Sequence, residues 1–319
     1  MQLDQRSLDR ITESVGGQPR RPERIQSLWS GYGEILRVPI DRGRVPSVIV
    51  KRVTPESTDQ HPRGWSGRTG HERKLRSYEV ERSLYSRWLS EPDADHRTAR
   101  CYSAESTSEG FCFVLEDLDA AGFDRRLQSL DDSSFEHCLS WLASFHARFL
   151  GVRPEGLWPV GTYWHLDTRP DEFGAMPEGS LKDAAKTLDR LLKECRFQTF
   201  VHGDAKVANF CFGPGGVAAV DFQYVGGGCG IKDVAYFLSS CLSDHECEAQ
   251  AETHLDTYFG LLRAHLPASI DHDAVCEEWR SLYPAAWADF HRFLAGWSPD
   301  HWKIHRYTTR MTELALSRL

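Results

Sequence analysis

A short run of polar residues carries the most distinctive chemistry in this sequence. His202-Gly203-Asp204 is followed by Asn209, and Asp221 comes twelve residues after Asn209. Transfer of a phosphoryl group needs a carboxylate beside the attacking hydroxyl and oxygen ligands for the metal ions on the phosphates. The spacing His-x-Asp-x-x-x-x-Asn followed by Asp-Phe is typical of that chemistry. The sequence therefore predicts a phosphoryl-transfer site at these residues.

The elements around this run predict how its residues are brought together. Apolar residues before His202 indicate a short strand, and two apolar stretches around Gly213-Pro214-Gly215-Gly216 indicate a hairpin. A hairpin returns the chain on itself, so we expect Asp221 to lie beside the loop that holds Asp204 and Asn209.

The two halves of the chain differ in their hydrophobic patterns. Residues 25–53 combine β-branched stretches with tight turns, which is typical of an antiparallel meander. A β-rich N-terminal half and a larger helical C-terminal half are therefore expected. Two further strands are predicted near residues 99–103 and 111–115, and helices are predicted at 71–89, 135–150, 180–194 and from about 246 onward.

These motifs together resemble those of the aminoglycoside phosphotransferase and choline kinase superfamily. His-Gly-Asp is the small-molecule form of a loop that reads His-Arg-Asp in protein kinases. Arg73-Lys74-Leu75-Arg76-Ser77-Tyr78 and the strand and loop around Asp204 look closest to the ecdysteroid-kinase-like branch. The resemblance covers roughly residues 28–240. It implies an α+β, protein-kinase-like fold of two lobes.

The resemblance also implies the organisation of each lobe. Residues 1–117 would form a small N-lobe for nucleotide binding, with an antiparallel sheet and one helix. Residues 118–319 would form a larger, mainly helical C-lobe with the catalytic loop, the metal site and the acceptor pocket.

Residue roles follow from the resemblance at the matching positions. Asp204 would be the catalytic base, and Lys206 would neutralise charge on the transferred phosphate. Asn209 and Asp221 would ligate Mg²⁺. Lys51 would contact the α- and β-phosphates of ATP. Asp233 and His202 would brace the catalytic loop.

A glutamate on the helix after Lys51 is expected to pair with that lysine, and two candidates are present. Helical spacing places Glu81 on the face that carries Tyr78, Tyr85 and Trp88, whereas Glu79 shares its face with polar residues. A carboxylate within an apolar face is costly unless it is paired. We therefore choose Glu81.

Backbone groups at two further places are candidates for nucleotide binding. Gly31 and Gly33, in Ser30-Gly31-Tyr32-Gly33, would cover the phosphates, although the segment is equally compatible with a simple hairpin turn. Glu116 and Leu118 lie at the expected hinge and would contact adenine through the backbone, the alternative being an ordinary acidic turn. Gly226-Gly227-Gly228-Cys229-Gly230 is not followed by Gly-Lys-Ser/Thr, so it is interpreted as a flexible stand-in for an activation segment.

The acceptor is the least determined part of the prediction. Acidic residues such as Asp167 and Asp289 would bind an amine of the acceptor. The simpler expectation is that both side chains lie at the protein surface. The loop 54–70, with Arg63, Trp65 and Arg68, would cover the site or simply connect elements. Aromatic residues of the C-terminal half are candidate pocket walls, although each alone is more typical of a core: Trp158, Tyr163, Trp164, Trp287 and Trp297.

The composition limits the class of protein. A formal net charge of −8 and a pI near 6.0 predict no nucleic-acid partner, and mean hydropathy of −0.48 predicts no membrane span. Nine scattered cysteines without a Cys-x-x-Cys pair indicate reduced thiols in a cytoplasmic protein. His301 and His305 have helical i,i+4 spacing, but no third metal ligand accompanies them.

The sequence as a whole predicts a phosphotransferase that uses ATP and Mg²⁺ and acts on a hydroxyl of a small-molecule acceptor. Two alternatives from other classes remain. One is a nucleotide-binding regulatory module with a kinase fold and no turnover. The other is a protein kinase, which the absence of an Ala-Pro-Glu element after Asp221 disfavours.

Overall fold

The protein divides into two compact units in the computed structural model. Residues 3–28, 31–55 and 68–319 are described. The first unit comprises residues 1–125 together with 211–223, and the second comprises 126–210 together with 224–319. The stretch that follows Asn209 therefore returns to the first unit before the chain continues into the second. Ser30 and residues 56–67, which hold Arg63 and Trp65 of the suggested cover, lie outside the described residues.

An antiparallel sheet forms the centre of the first unit. Its strands are β1 (Gln18–Pro19), β2 (Glu23–Ser27), β3 (Gly33–Asp41), β4 (Ser47–Val53), β5 (Cys101–Thr107) and β6 (Gly110–Glu116). They run in the order β1-β3-β4-β6-β5, and β2 also pairs with β3. Val48 and Val50 alternate with less buried residues on β4, so one face of the sheet is covered.

Two helices accompany this sheet, and the first was not predicted. Helix α1 (Gln5–Val15) begins after Asp4, whose carboxylate accepts a hydrogen bond from the Ser7 N–H at 2.8 Å. Its buried Ile11 and Val15 pack into the same hydrophobic core as the sheet. Helix α2 (Arg68–Arg87) matches the helix predicted at 71–89.

The second unit is mainly helical, as predicted. Short strands β7 (Thr199–Val201) and β10 (Gly226–Gly228) pair with each other, and β8 (Phe210–Gly213) pairs with β9 (Gly216–Ala219) in the returning stretch. The α+β fold class is therefore confirmed. The helices are α3 (Asp132–Arg148), α4 (Pro170–Ala175), α5 (Ser180–Lys193), α6 (Ile231–Cys241), α7 (Asp244–His265), α8 (His272–Trp297) and α9 (Arg306–Leu316).

The glycine run at 226–228 is a buried strand and not the flexible segment that we expected. Its backbone pairs with β7 on one side and with the segment around Trp158 on the other, where the Gly227 N–H donates to the Trp158 carbonyl at 3.0 Å. A Cβ at Gly226 would collide with that carbonyl oxygen and with the Gly161 nitrogen. Glycine is present here because three backbone segments meet too closely for a side chain.

A buried ionic cluster corrects the surface position expected for Asp289. This carboxylate on α8 is buried, and it contacts Lys232 Nζ at 3.3 Å, Arg292 Nη2 at 2.8 Å and Trp164 Nε1 at 3.0 Å. Although burial alone would raise the pKa of Asp289, the two cations hold it well below the usual range. Asp167 is exposed as expected.

Two further observations bear on the predicted environment. In the part of the chain that the structure describes, no helix is both long and apolar enough to cross a bilayer. All nine cysteines are free thiols.

The close approach at Gly226 generates a stability prediction. Gly226→Ala should lower the free energy of unfolding by about 1–3 kcal/mol, since the new methyl group overpacks a contact between backbones. Gly260→Ala is the matched control. That glycine is exposed on α7 with open space around its Cα, so alanine should stabilise the protein by about 0.5–1 kcal/mol. Urea unfolding measures both changes, and equal effects at the two positions would contradict the packing argument.

Candidate active site

In the first unit, a buried ion pair joins the sheet to helix α2. Lys51 on β4 places its Nζ 2.9 and 2.7 Å from the two carboxylate oxygens of Glu81. Both residues are buried, at 5% and 1% exposure, whereas Glu79 is exposed. Burial alone would lower the pKa of Lys51, but the carboxylates of Glu81 and Asp221 outweigh it and raise the pKa. Lys51 is therefore a fixed cation, and the structure pairs it with the glutamate that the sequence analysis chose.

Asp221 lies beside this ion pair at the end of the returning stretch. Its Oδ1 is 3.6 Å from Lys51 Nζ. The backbone at Asp221 has φ +67°, a left-handed conformation that is uncommon for a residue other than glycine. Such backbone conformations occur where surrounding contacts define the position of a functional side chain.

Gln223 orients Asp221, and the sequence analysis did not single it out. Its Nε2 donates to Asp221 Oδ1 at 2.5 Å, while its Oε1 accepts from Lys74 Nζ at 2.7 Å and from Ser77 Oγ at 3.2 Å. One amide thus links the Asp221 carboxylate to helix α2. The only available signal was its position two residues after Asp221, because Lys74 and Ser77 are about 150 residues distant in sequence.

The predicted nucleotide-binding backbone groups lie in turns and strands of the first unit. Gly31 precedes β3 and Gly33 is its first residue, and the Leu28 N–H donates to the Gly33 carbonyl at 2.8 Å. Glu116 ends β6, and its carboxylate accepts from Arg97 at 2.6 Å. The Leu118 carbonyl accepts from the Phe123 N–H at 2.8 Å.

In the second unit, Asp204 is held by three side chains. Tyr236 Oη donates to Asp204 Oδ1 at 3.0 Å, while Lys206 Nζ and Asn209 Nδ2 donate to Oδ2 at 2.8 and 3.1 Å. Burial and the negative charge of Asp204 raise the pKa of Tyr236 well above its usual value, so the phenol stays a donor. These three hydrogen bonds therefore set the orientation of the Asp204 carboxylate.

Asn209 also donates its Nδ2 to the Asp204 backbone carbonyl, at 2.8 Å. Because both hydrogen bonds use the amide nitrogen, the amide oxygen is left to act as a ligand. An amide oxygen is the donor type that a hard divalent cation prefers.

Asp233, at the start of α6, braces the loop as expected. Its carboxylate accepts the His202 N–H at 2.5 Å and the Gly203 N–H at 3.0 Å. It also contacts His146 Nε2 at 3.2 Å, and His146 Nδ1 lies 2.8 Å from the Tyr258 hydroxyl. Gly203 has φ +80°, and a Cβ there would collide with the Tyr224 carbonyl oxygen. The Gly of His-Gly-Asp is thus a geometric requirement of this turn.

The candidate pocket walls separate into two groups. Trp164 and Trp287 are buried, so they belong to the core. Trp158, Tyr163 and Trp297 are half-buried, and Tyr163 and Trp297 pack against a hydrophobic core cluster.

The helical spacing of His301 and His305 does not correspond to a helix. Both precede α9, and His305 caps it through its ring nitrogen. No group of three or more His, Cys, Asp or Glu in the described ranges is arranged to hold a metal ion.

Comparison with solved structures defines the fold class. An amicoumacin kinase in complex with AMP-PNP, Ca²⁺ and Ami shares 13% identity and a TM-score of 0.53, covering 99% of this chain and 93% of its own. A choline kinase from Cryptosporidium parvum shares 10% identity with a TM-score of 0.52, covering 96% and 90%. A spectinomycin phosphotransferase in complex with ADP and spectinomycin shares 9% identity with a TM-score of 0.51, covering 100% of both chains. The fold is therefore the kinase-like fold of these proteins.

Sequence comparison identifies the family. The model of the phosphotransferase enzyme family (APH) matches residues 61–268, which is more than half of the chain. No curated protein sequence gives a significant match. The protein belongs to the APH phosphotransferase enzyme family.

The brace at Asp233 generates a second prediction. Asp233→Ala should lower the free energy of unfolding by about 3–5 kcal/mol, because it removes a fully buried carboxylate and leaves its hydrogen-bond donors unpaired. Hydrogen exchange at the amides of His202 and Gly203 should accelerate. Asp183→Ala, on the exposed side of α5, is the control and should change little. Unchanged exchange at both amides in Asp233→Ala would show that the loop is held by other contacts.

Proposed function

We propose that this protein transfers the γ-phosphate of ATP to a hydroxyl of a small-molecule acceptor. Membership of the phosphotransferase family supports the reaction class. The observation that carries the proposal is the carboxylate of Asp204, which three side chains hold in one orientation. The fold neighbours solved with AMP-PNP or ADP support a nucleotide donor.

Asp204 acts as the base in this proposal. It orients the acceptor hydroxyl and takes its proton as the oxygen attacks the γ-phosphorus, while the leaving ADP keeps the electrons of the broken bond. Tyr236 and Lys206 donate hydrogen bonds to different oxygens of the Asp204 carboxylate. Rotation of the carboxylate would break both hydrogen bonds, so its orientation is fixed. Lys206, which is only half-buried, contacts the base at 2.8 Å and would meet the transferred phosphate.

Asn209 and Asp221 fit the role of Mg²⁺ ligands because they offer an amide oxygen and a carboxylate. The ion, when bound, neutralises charge on the phosphate oxygens. The protein contributes the orientation of these ligands: Asp204 holds the Asn209 amide, and Gln223 holds the Asp221 carboxylate.

Lys51 binds the α- and β-phosphates in the proposed reaction, and Glu81 keeps it extended from the sheet. Gly31 and Gly33 cover the phosphates, and the backbone of Glu116 and Leu118 contacts adenine. Residues 1–117 then serve nucleotide binding, and residues 118–319 serve catalysis and acceptor binding. The placement within the ecdysteroid-kinase-like branch and the cytoplasmic location stay predictions.

Two observations weigh against the alternatives. A regulatory module without turnover has no need of a base held by Tyr236, Lys206 and Asn209. A protein kinase needs a segment after Asp221 that binds a peptide, but here the chain passes through buried β10 and enters α6 at Ile231. A hydroxyl of a small molecule is therefore the favoured acceptor.

Substitution of the base tests the proposed reaction. Asp204→Asn should keep ATP binding and reduce turnover by about 10²–10⁴-fold, the usual contribution of a positioned base. ATP consumption with alcohols, sugars, aminoglycosides and sterols measures turnover, and calorimetry measures nucleotide binding. Binding of ATP without transfer to any acceptor would favour the regulatory module, and an unchanged rate in Asp204→Asn would refute the assignment of the base.

Substitution of the second carboxylate should give a different phenotype. Asp221→Ala should weaken binding of the Mg²⁺–nucleotide complex itself, because a ligand of the ion is lost, while nucleotide binding without Mg²⁺ changes less. Gln223→Leu should raise the Mg²⁺ concentration needed by about 10-fold or more, because an oriented ligand becomes mobile. Titration of Mg²⁺ at fixed ATP separates these outcomes. An Asp221→Ala protein with normal Mg²⁺ dependence would contradict the proposed ligand set.

A further inference from the structure

Lys303 is a buried lysine that the proposed reaction has not used. It lies between α8 and α9, beyond the residues that match the family. The residue is 8% exposed. Its backbone is fixed on both sides, because its N–H donates to His301 Nδ1 at 3.2 Å and its carbonyl accepts from Thr308 Oγ1 at 2.6 Å. The backbone of Lys303 is thus held in place within the second unit.

The ammonium lacks the partner that a buried cation normally has. Its Nζ makes one long hydrogen bond, to Ser239 Oγ at 3.4 Å. In the described part of the chain, no acidic side chain forms an ion pair with it, in contrast to buried Lys51 and Lys232. An ammonium has three donors, and buried charges are normally paired. The unused donors point to an anion from outside the chain.

Aromatic rings surround the same group. Lys303 Nζ lies 4.7 Å from the centroid of Tyr236, 5.4 Å from that of Phe290 and 5.5 Å from that of Trp302. Rings arranged in this way attract cations. Here the lysine already occupies their faces, so they do not offer a free site for an ammonium group of a ligand. Trp302 is 60% exposed, so one of these walls borders the solvent.

Tyr236 connects Lys303 to the catalytic base. The ring of Tyr236 contacts Lys303, and its hydroxyl donates to Asp204 Oδ1 at 3.0 Å. Lys206 is the second cation beside Asp204. The Asp204 carboxylate thus interacts electrostatically with two ammonium groups of the second unit, those of Lys206 and Lys303. Burial lowers the pKa of Lys303 to about 8 against the opposing effect of Asp204, so the group is mostly protonated at pH 7.

We infer that Lys303 binds an oxyanion of the acceptor and thereby directs the acceptor hydroxyl to Asp204. This inference rests on the proposed function. It makes the acceptor a hydroxyl compound that carries a carboxylate or a phosphate, and it disfavours amino alcohols such as choline. Lys303 is then a specificity-determining residue for the acceptor.

Binding of small probes to the whole protein tests the inference without turnover. The probes are glycerate and glycerol 3-phosphate, with glycerol as the uncharged analogue and choline as the cation, all at equal ionic strength. We expect at least one of the two anions to raise the Tm of the wild-type protein, since a ligand that binds the folded state stabilises it. Glycerol and choline should leave the Tm unchanged.

Three variants separate recognition from a structural role of Lys303. Lys303→Met keeps the apolar stem and removes the charge, so it should lose the response to anions. Lys303→Arg keeps the positive charge and should retain much of the Tm response to anions. Lys186→Met removes an exposed charge on α5 of the same unit and should respond as the wild type does. With an anionic acceptor and ATP, Lys303→Met should raise KM by about 10–100-fold with a smaller effect on kcat, as expected for loss of a charged hydrogen bond.

Each outcome decides the inference. A Tm shift with choline but not with the anions, no shift with either anion, or a full response in Lys303→Met would overturn it. If Lys303→Met does not fold, the probe series on the wild-type protein still decides. Anion-dependent stabilisation in a protein that never transfers phosphate would refute the proposed function alone, whereas phosphorylation of choline in preference to the anions would refute this inference alone.

Discussion

The hydrogen bonds of the buried Asp233 carboxylate are the interaction on which the geometry around Asp204 depends. They hold the backbone of His202 and Gly203, and the turn at Gly203 then directs Asp204 toward Tyr236. A buried carboxylate is costly unless it is satisfied by donors, so Asp233 favours one loop conformation strongly. The proposed base is thus oriented by Asp233, which acts through the loop backbone and has no direct contact with the Asp204 carboxylate.

In the first unit as well, buried charges are stabilised by specific partners. Lys51 and Glu81 are buried together, and neither is tolerable there without the other. Gln223 extends this arrangement by linking the Asp221 carboxylate to Lys74 on α2. Movement of α2 would therefore displace together Lys51, the proposed phosphate-binding residue, and Asp221, the proposed metal ligand.

Lys303 differs from these satisfied charges, and the difference is informative. Lys51, Lys232 and Asp233 have partners within the chain, whereas the ammonium of Lys303 has rings and one long hydrogen bond. Chains in this fold class act on varied acceptors, so acceptor-specific residues are expected outside the shared motifs. The position of Lys303 beyond the family match agrees with that expectation.

The sequence alone determined the fold class, the family and the local motifs. These depend on short-range features: period-two strands, helical periodicity, the spacing of Asp204 to Asn209, and the choice of Glu81 from its helix face. Tertiary structure decided whatever depends on distant segments. Examples are the burial of Asp289 between two cations, the close approach that requires Gly226, and the contact of Gln223 with Lys74. Local patterns carry no information on which remote side chain will neutralise a charge or fill a space, because that choice is made only when the segments pack.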